Sequence, residues 1–163
     1  MKVNIKRIDK SLPLPVYETH GSVGFDLLAR VQMTIEPNKI ELIPANVIVE
    51  VPDGYSLIVA SRSSTPRKLG LTKPHGIGII DQDYCGNEDE IKIQVLNFTN
   101  NPVTVKKGDK IAQGLFVRVD RLEFTEVDDM KKASRGGFGS TDKKLQITNS
   151  KLQITSSHKL QKI

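Results

Sequence analysis

Five short stretches hold side chains suited to binding or activating an anionic ligand. Residues 134–141 read SRGGFGST, with Arg135 and Phe138 among three glycines and Ser140 and Thr141 behind them. Glycine-rich chain is costly to order, and a plain linker would carry Gly and Ser without Arg and Phe. The mixture fits a segment that stays loose until it closes on something flat and anionic. In ASRSSTP (60–66), Arg62 ends an apolar run, and Ser63 and Ser64 open a short helical signal. A guanidinium beside free N–H groups suits phosphate oxygens, although a helix cap with a surface ion pair uses the same residues. In HGIGIIDQDYCG (75–86), Gly76 and Gly78 permit close backbone approach. Asp81 and Asp83 alternate on what reads as extended chain, so only one of them should point into a given pocket. Tyr84 adds a flat face with a polar tip. In GSVGFDLLA (21–29), Asp26 lies inside an apolar run and needs partners or a metal-bound water if buried. In KGDKIAQGLF (107–116), Gln113 sits in an apolar strand, where it either satisfies backbone groups or donates to a phosphate.

These residues must be carried by short strands. VNIKRI (3–8), MTIEP (33–37), KIELIP (39–44) and EIKIQVLNFT (90–99) alternate apolar with polar. VIVEVP (47–52) and YSLIVAS (55–61), joined by Pro-Asp-Gly, read as a hairpin. VTVKKGDKIAQGLFVRV (103–119) is broken in two at Lys107-Gly108-Asp109. The one helical signal is SSTPRKLG (63–70), with Pro in the first turn and Gly at the end. Many short strands and one very short helix predict an all-β jelly roll.

A chain of 163 residues suffices for one domain. Its 37% hydrophobic and 5% aromatic content, with no Trp, makes a modest core that subunit contacts should help. Cys85 is the sole cysteine, which excludes an intrachain disulfide and a Cys-built metal site. His20, His75 and His158 lack ligand spacing. No apolar run nears the roughly 20 residues of a membrane span, and MKVNIKRIDK has no apolar signal core. The expectation is a cytoplasmic protein without membrane contact. The formal charge is +5, but residues 142–163 hold five lysines against Asp142, a net +4. The body is near neutral, so a nucleic-acid partner is not expected. KLQITNS (144–150) and KLQITSS (151–157) repeat in that tail, too short to bury a core of their own. The expected organisation is a β core over 1–133, a Gly-rich clamp over 134–142 and a disordered basic tail over 143–163.

Taken in order, the Asp of a Gly-rich turn, Arg-Ser-Ser, Gly-Ile-Ile-Asp-x-Asp-Tyr, Ile-Ala-Gln and the terminal Arg-Gly-Gly-Phe-Gly-Ser-Thr resemble the five motifs of the trimeric dUTPase family. The resemblance spans about residues 21–141. It implies a distorted jelly roll of the β-clip kind with a flexible C-terminal arm. It implies a homotrimer with three shared sites, and hydrolysis of dUTP to dUMP and pyrophosphate with Mg2+. By the same resemblance Asp81 is the general base. Arg62, Ser63, Ser64 and Gln113 hold phosphates, and Asp26 supports the metal's water network. The backbone of a 75–80 hairpin, Gly78 and Ile80 included, reads uracil, and His75 lies near the base pocket. Tyr84 packs under the deoxyribose. Phe138 stacks on the uracil, Arg135 grips the terminal phosphate, and Gly139, Ser140 and Thr141 complete the clamp.

Ser61 stands where the family often has Pro, Cys85 where many have Arg or Gln, and His75 where Asn is frequent. Neither Ser61 nor Cys85 stands at a position that carries the chemistry. A dCTP deaminase of the same fold, alone or bifunctional, shares Arg-Ser-Ser and the hairpin Asp. It needs a Glu in the strand that follows, where this chain has Gln94, and an amide cannot transfer protons as a general acid or base. A non-catalytic nucleotide-binding regulator would tolerate loss of Asp81 or Arg135, and both are present.

Overall fold

The computed structural model describes residues 1–137. One compact unit spans Met1–Leu122, and a second begins at Glu123. From Glu123 to Gly137 the chain holds no strand or helix, and its side chains are exposed. Among the described residues no helix is long and apolar enough to cross a membrane.

The first unit contains eleven strands and one helix. In chain order these are β1 (Ile5–Arg7), β2 (Phe25–Leu28), β3 (Met33–Ile35), β4 (Ile40–Pro44), β5 (Val47–Val49) and β6 (Tyr55–Ser61), then α1 (Thr65–Leu69), β7 (Leu71–Thr72), β8 (Ile77–Ile80), β9 (Lys92–Asn97), β10 (Val103–Val105) and β11 (Lys110–Arg118). All paired strands run antiparallel. The largest sheet has the order β2-β11-β6-β8. A second has β4-β9-β7, and β1-β5 and β3-β10 form two-stranded ribbons. Alternation drives one face of each strand inward: Phe25 and Leu27, Leu57 and Val59, Ile93 and Val95 join one continuous core cluster. At about 25 cal/mol per Å² of apolar surface, that cluster is the main stabilising term of the fold.

Two expectations need correction. The runs 47–52 and 55–61 do not pair. β5 pairs with β1, and β6 lies between β11 and β8. The Pro52-Asp53-Gly54 turn is present, with Gly54 at φ 73° and the Tyr55 N–H donating to the Pro52 carbonyl at 3.0 Å. It carries the chain from one sheet to another. The GSVGFDLLA stretch is not only a turn, because Phe25–Leu28 is a strand whose Asp26 and Leu28 face outward.

α1 ends at Gly70, whose left-handed backbone (φ 64°) returns an N–H to the Pro66 carbonyl. Ser64 precedes the helix without a side-chain cap bond. The helix is pinned by the buried Thr65 hydroxyl, which donates to the Ile111 carbonyl on β11 at 3.2 Å.

A half-buried ion pair ties the sheets together. Arg30, just past β2, meets Glu90, just before β9, through two bonds of 2.8 and 2.9 Å. The same Glu90 carboxylate accepts the Asn46 backbone N–H at 2.8 Å. Gly114 on β11 is required by close packing. A Cβ there would stand 2.7 Å from the Phe25 ring and 3.1 Å from Leu57 Cδ1. Replacing Gly114 with Ala is therefore expected to lower stability by about 1–3 kcal/mol through overpacking. An unchanged midpoint in urea denaturation would contradict this packing.

Candidate active site

Two polar clefts lie on the four-stranded sheet. The first, of about 240 Å³, is lined by Glu18, Ser22, Gly24, Asp26, Arg62, Ser63, Ser64 and Gln113. Three elements converge on it. Gln113 on β11 is directly opposite Asp26 on β2, and Gln113 is also opposite Ala60 on β6. Arg62 follows the last residue of β6, and the turn that starts α1 then presents Ser63 and Ser64.

Asp26 is the centre of this cleft. One carboxylate oxygen lies 2.8 Å from Arg62 Nε and the other 2.9 Å from Lys110 Nζ, and the side chain is 16% exposed. A carboxylate so nearly covered needs both cations. Arg62 also donates to the Lys110 carbonyl at 3.2 Å, so its fork is fixed before any ligand arrives. Gln113 donates to the Ser61 carbonyl at 3.2 Å, the backbone role that its apolar strand allowed.

Lys110 was not singled out in the sequence. It reaches Asp26 because of a β-bulge. Against β2, residues Lys110 and Ala112 face Leu28 and Leu27, so β11 carries one residue more than its partner. Ile111 and Ala112 are both buried, and Lys110 and Gln113 both face outward. In a regular strand residues three apart face opposite ways. Glu18 binds the same ammonium. Glu18 first and Asp26 second hold the Lys110 pKa above the usual lysine value.

The second cleft, of about 570 Å³, is lined by Asp53, Tyr55, Ser56, Asp81, Gln82, Asp83, Val119 and Arg121. Asp81 leaves the end of β8, which pairs with β6. Here the extended reading of residues 81–84 fails. The chain turns, with the Tyr84 N–H directed at the Asp81 carbonyl, and Asp81 and Asp83 line the same cleft. Alternation applies to extended chain, and a turn brings the two carboxylates to one side. Three bonds hold the turn. Gln82 Nε2 donates to the Tyr55 carbonyl at 3.0 Å, Ser56 Oγ to the Ile80 carbonyl at 3.3 Å, and the Tyr84 hydroxyl to the Glu90 carbonyl at 3.3 Å. The turn is thus tied to the Arg30–Glu90 pair.

The 75–80 segment is a turn followed by β8 and not a hairpin, since β7 pairs with β9. His75 is exposed, and its Nε2 is 3.7 Å from where a Gly78 Cβ would stand. Ile80 packs against the core. Arg135 is exposed within the unit beginning at Glu123. Phe138, Gly139, Ser140 and Thr141 lie outside the described residues. Gln94 sits on β9 opposite Leu42, in the other main sheet.

The clefts stand at opposite ends of β6. Arg62 follows its last residue, and Ser56 near its start touches Ile80, the residue before Asp81. Six residues of strand at ~3.3 Å each separate them by roughly 20 Å.

The model of the dUTPase family matches residues 10–142. The deoxyuridine 5'-triphosphate nucleotidohydrolase of Finegoldia magna is 39% identical over 144 residues, which cover 85% of this chain and 99% of that protein. The crystal structure of the dUTPase from Streptococcus mutans superposes with a TM-score of 0.68 at 31% identity, over 74% of this chain and 98% of that one. A mutant dUTPase of phage phi11 of S. aureus, described with a structural Mg(II) ion, shares the fold at 20% identity. Its TM-score is 0.71, over 81% of this chain and the whole of the other.

Gln82 provides a test of the cleft's construction that needs no ligand. Gln82→Ala should speed amide hydrogen exchange across residues 81–84 while leaving β9 protected. Equal exchange in both proteins would show that Gln82 does not hold the turn.

Proposed function

Because this chain belongs to the dUTPase family, we propose that it hydrolyses dUTP to dUMP and pyrophosphate, using both clefts on each nucleotide. The observation that carries this reading is the convergence of Asp26, Arg62, Ser63, Ser64 and Gln113 on one small polar cleft. Arg62 offers a forked donor, and the two serines offer hydroxyls and backbone N–H groups, as a phosphate chain requires. Asp26 holds Arg62 in place.

Asp81 acts as the general base on the water that attacks the α-phosphorus. Such a base must lie within hydrogen-bond reach of that water. A base roughly 20 Å from Arg62 cannot meet phosphates bound at Arg62 of the same chain. The reading therefore includes an oligomer, a homotrimer by the family resemblance, in which the phosphate cleft of one subunit faces the Asp81 cleft of another. Backbone of β8, at Gly78 and Ile80, reads the uracil edge, with His75 beside it. Tyr84, its hydroxyl already committed to Glu90, packs its ring under the deoxyribose. Arg135, Phe138, Gly139, Ser140 and Thr141 form the clamp, Phe138 stacking on the base and Arg135 meeting the terminal phosphate. Closure excludes water from the reacting groups. We place the reaction in the cytoplasm, where free nucleotides are handled.

Among the described residues no three His, Cys, Asp or Glu side chains converge, and each Asp26 oxygen already faces a cation. This donor set suits Mg2+ held by phosphates and waters, with Asp26 beyond its water shell. When bound, the ion neutralises charge on the phosphates.

A product assay tests the reaction. With Mg2+, dUMP and pyrophosphate should form from dUTP and not from dCTP, dTTP or UTP. Uracil nucleotides formed from dCTP would overturn the reading in favour of a deaminase. Asp81→Asn should cut kcat by about 10²–10⁴-fold, the usual size of a general-base contribution.

Co-expression tests the shared site. Asp81→Asn and Arg62→Ala chains, each inactive alone, should regain activity when mixed. Random assembly gives about a quarter of sites with both groups intact. A mixture as inactive as its components would rule out sharing.

A further inference from the structure

The phosphate cleft contains a carboxylate that the reaction does not use. Glu18 lines it beside Ser22, Gly24 and Arg62, and its carboxylate is bonded to the Lys110 ammonium. Two anchors fix this position. Before Glu18, the Tyr17 ring meets the Phe25 ring edge-on with centroids 5.9 Å apart, and Phe25 is the residue next to Asp26. After it, Thr19 and Ser22 close a turn: the Thr19 N–H donates to Ser22 Oγ at 3.1 Å, the two hydroxyls lie 2.8 Å apart, and the Ser22 N–H donates to the Thr19 carbonyl at 3.1 Å. Glu18 is held at the cleft from both sides.

The charges around the cleft cancel. Arg62 and Lys110 face Asp26 and Glu18, so two cations meet two carboxylates. A polyanion entering such a cleft gains little from its average field and is repelled by the carboxylate nearest its path. Asp26 is covered and committed to both cations, whereas the Glu18 side chain is 55% exposed. Glu18 is the carboxylate free to leave.

We propose that Glu18 sets the affinity of this cleft for the phosphate chain. Its carboxylate occupies Lys110 in the empty cleft and releases the ammonium when phosphate oxygens arrive. Every binding event then breaks one ion pair before it makes another. The empty cleft keeps its cations paired, and nucleotide and pyrophosphate are both held more weakly than the donors alone would hold them. Release of pyrophosphate is eased by the same device. This inference rests on the proposed function, since it takes the cleft as the phosphate site.

The test uses the full chain with Glu18→Gln and Glu18→Asp. Two quantities are read: KM for dUTP, and the Kd of inorganic pyrophosphate with Mg2+ by calorimetry. Glu18→Gln should lower both by about three- to fivefold, the scale of one exposed ion pair. Glu18→Asp, which keeps the charge, should stay near the parent protein. The gap between Gln and Glu should narrow as salt is raised, because exposed charges are screened. A merely structural role for Glu18 would weaken binding in the Gln variant and leave no such salt dependence. Unchanged or weaker pyrophosphate binding in Glu18→Gln, with normal dUTP turnover by the parent protein, would overturn the proposal. Absence of dUTP turnover by the parent protein would overturn the functional reading instead, and pyrophosphate binding would still decide the part played by Glu18.

Discussion

The small cleft on the four-stranded sheet depends on how Asp26 is neutralised. A carboxylate on the outer face of a strand, only 16% exposed, is stable only with its oxygens occupied. Lys110 occupies one from β11, and Arg62 the other from the residue after β6 of the same sheet. The arrangement works in both directions. The cations supply the partners that the covered carboxylate needs, and Asp26 keeps the guanidinium aimed across the cleft. An Arg at the end of a strand otherwise has a long side chain and much rotational freedom to lose. Here that freedom is already spent in the empty protein, so less of it opposes ligand binding. The bulge in β11 belongs to the same construction. It lets Ile111 and Ala112 fill the core while Lys110 and Gln113 remain outside.

β6 sets the scale of the site. Its seven residues separate the guanidinium of Arg62 from the turn bearing Asp81, and a strand cannot shorten to bring them together. Rigid support and wide separation come from the same element. The Asp81 turn is braced on its own side by Gln82, Ser56 and Tyr84, and through Tyr84 by the Arg30–Glu90 pair. Each cleft is thus built locally and firmly.

Much of this was legible in the sequence, for identifiable reasons. Strand periodicity is a local property, so YSLIVAS and KIELIP announced themselves. Arg62-Ser63-Ser64 before Thr65-Pro66 marked a strand-to-helix junction. Partner choice was not legible. β5 finds β1, some forty residues away, and the Pro52-Asp53-Gly54 turn looks the same whether it joins a hairpin or crosses between sheets. β2 is four residues long, too short for its alternation to outweigh the glycines before it. A bulge leaves no mark in composition, so nothing in the sequence marks Lys110 as a partner of Asp26. The carboxylate of Glu18 lies in a coil segment whose path no periodic signal predicts. The two-residue spacing of Asp81 and Asp83 implies opposite faces only in a strand, and here the chain turns.

β8 is the outer strand of its sheet, and Ile77 and Ile79 on it are 48% and 61% exposed. A short apolar edge with unpaired N–H and C=O groups is a template for other chains. Natural proteins often blunt such edges with lysine or proline, and these four residues contain neither. This edge is therefore also a surface on which a newly made chain is exposed to misassociation. Such an edge makes the yield of folded protein depend on chain concentration, because pairing between chains competes with folding.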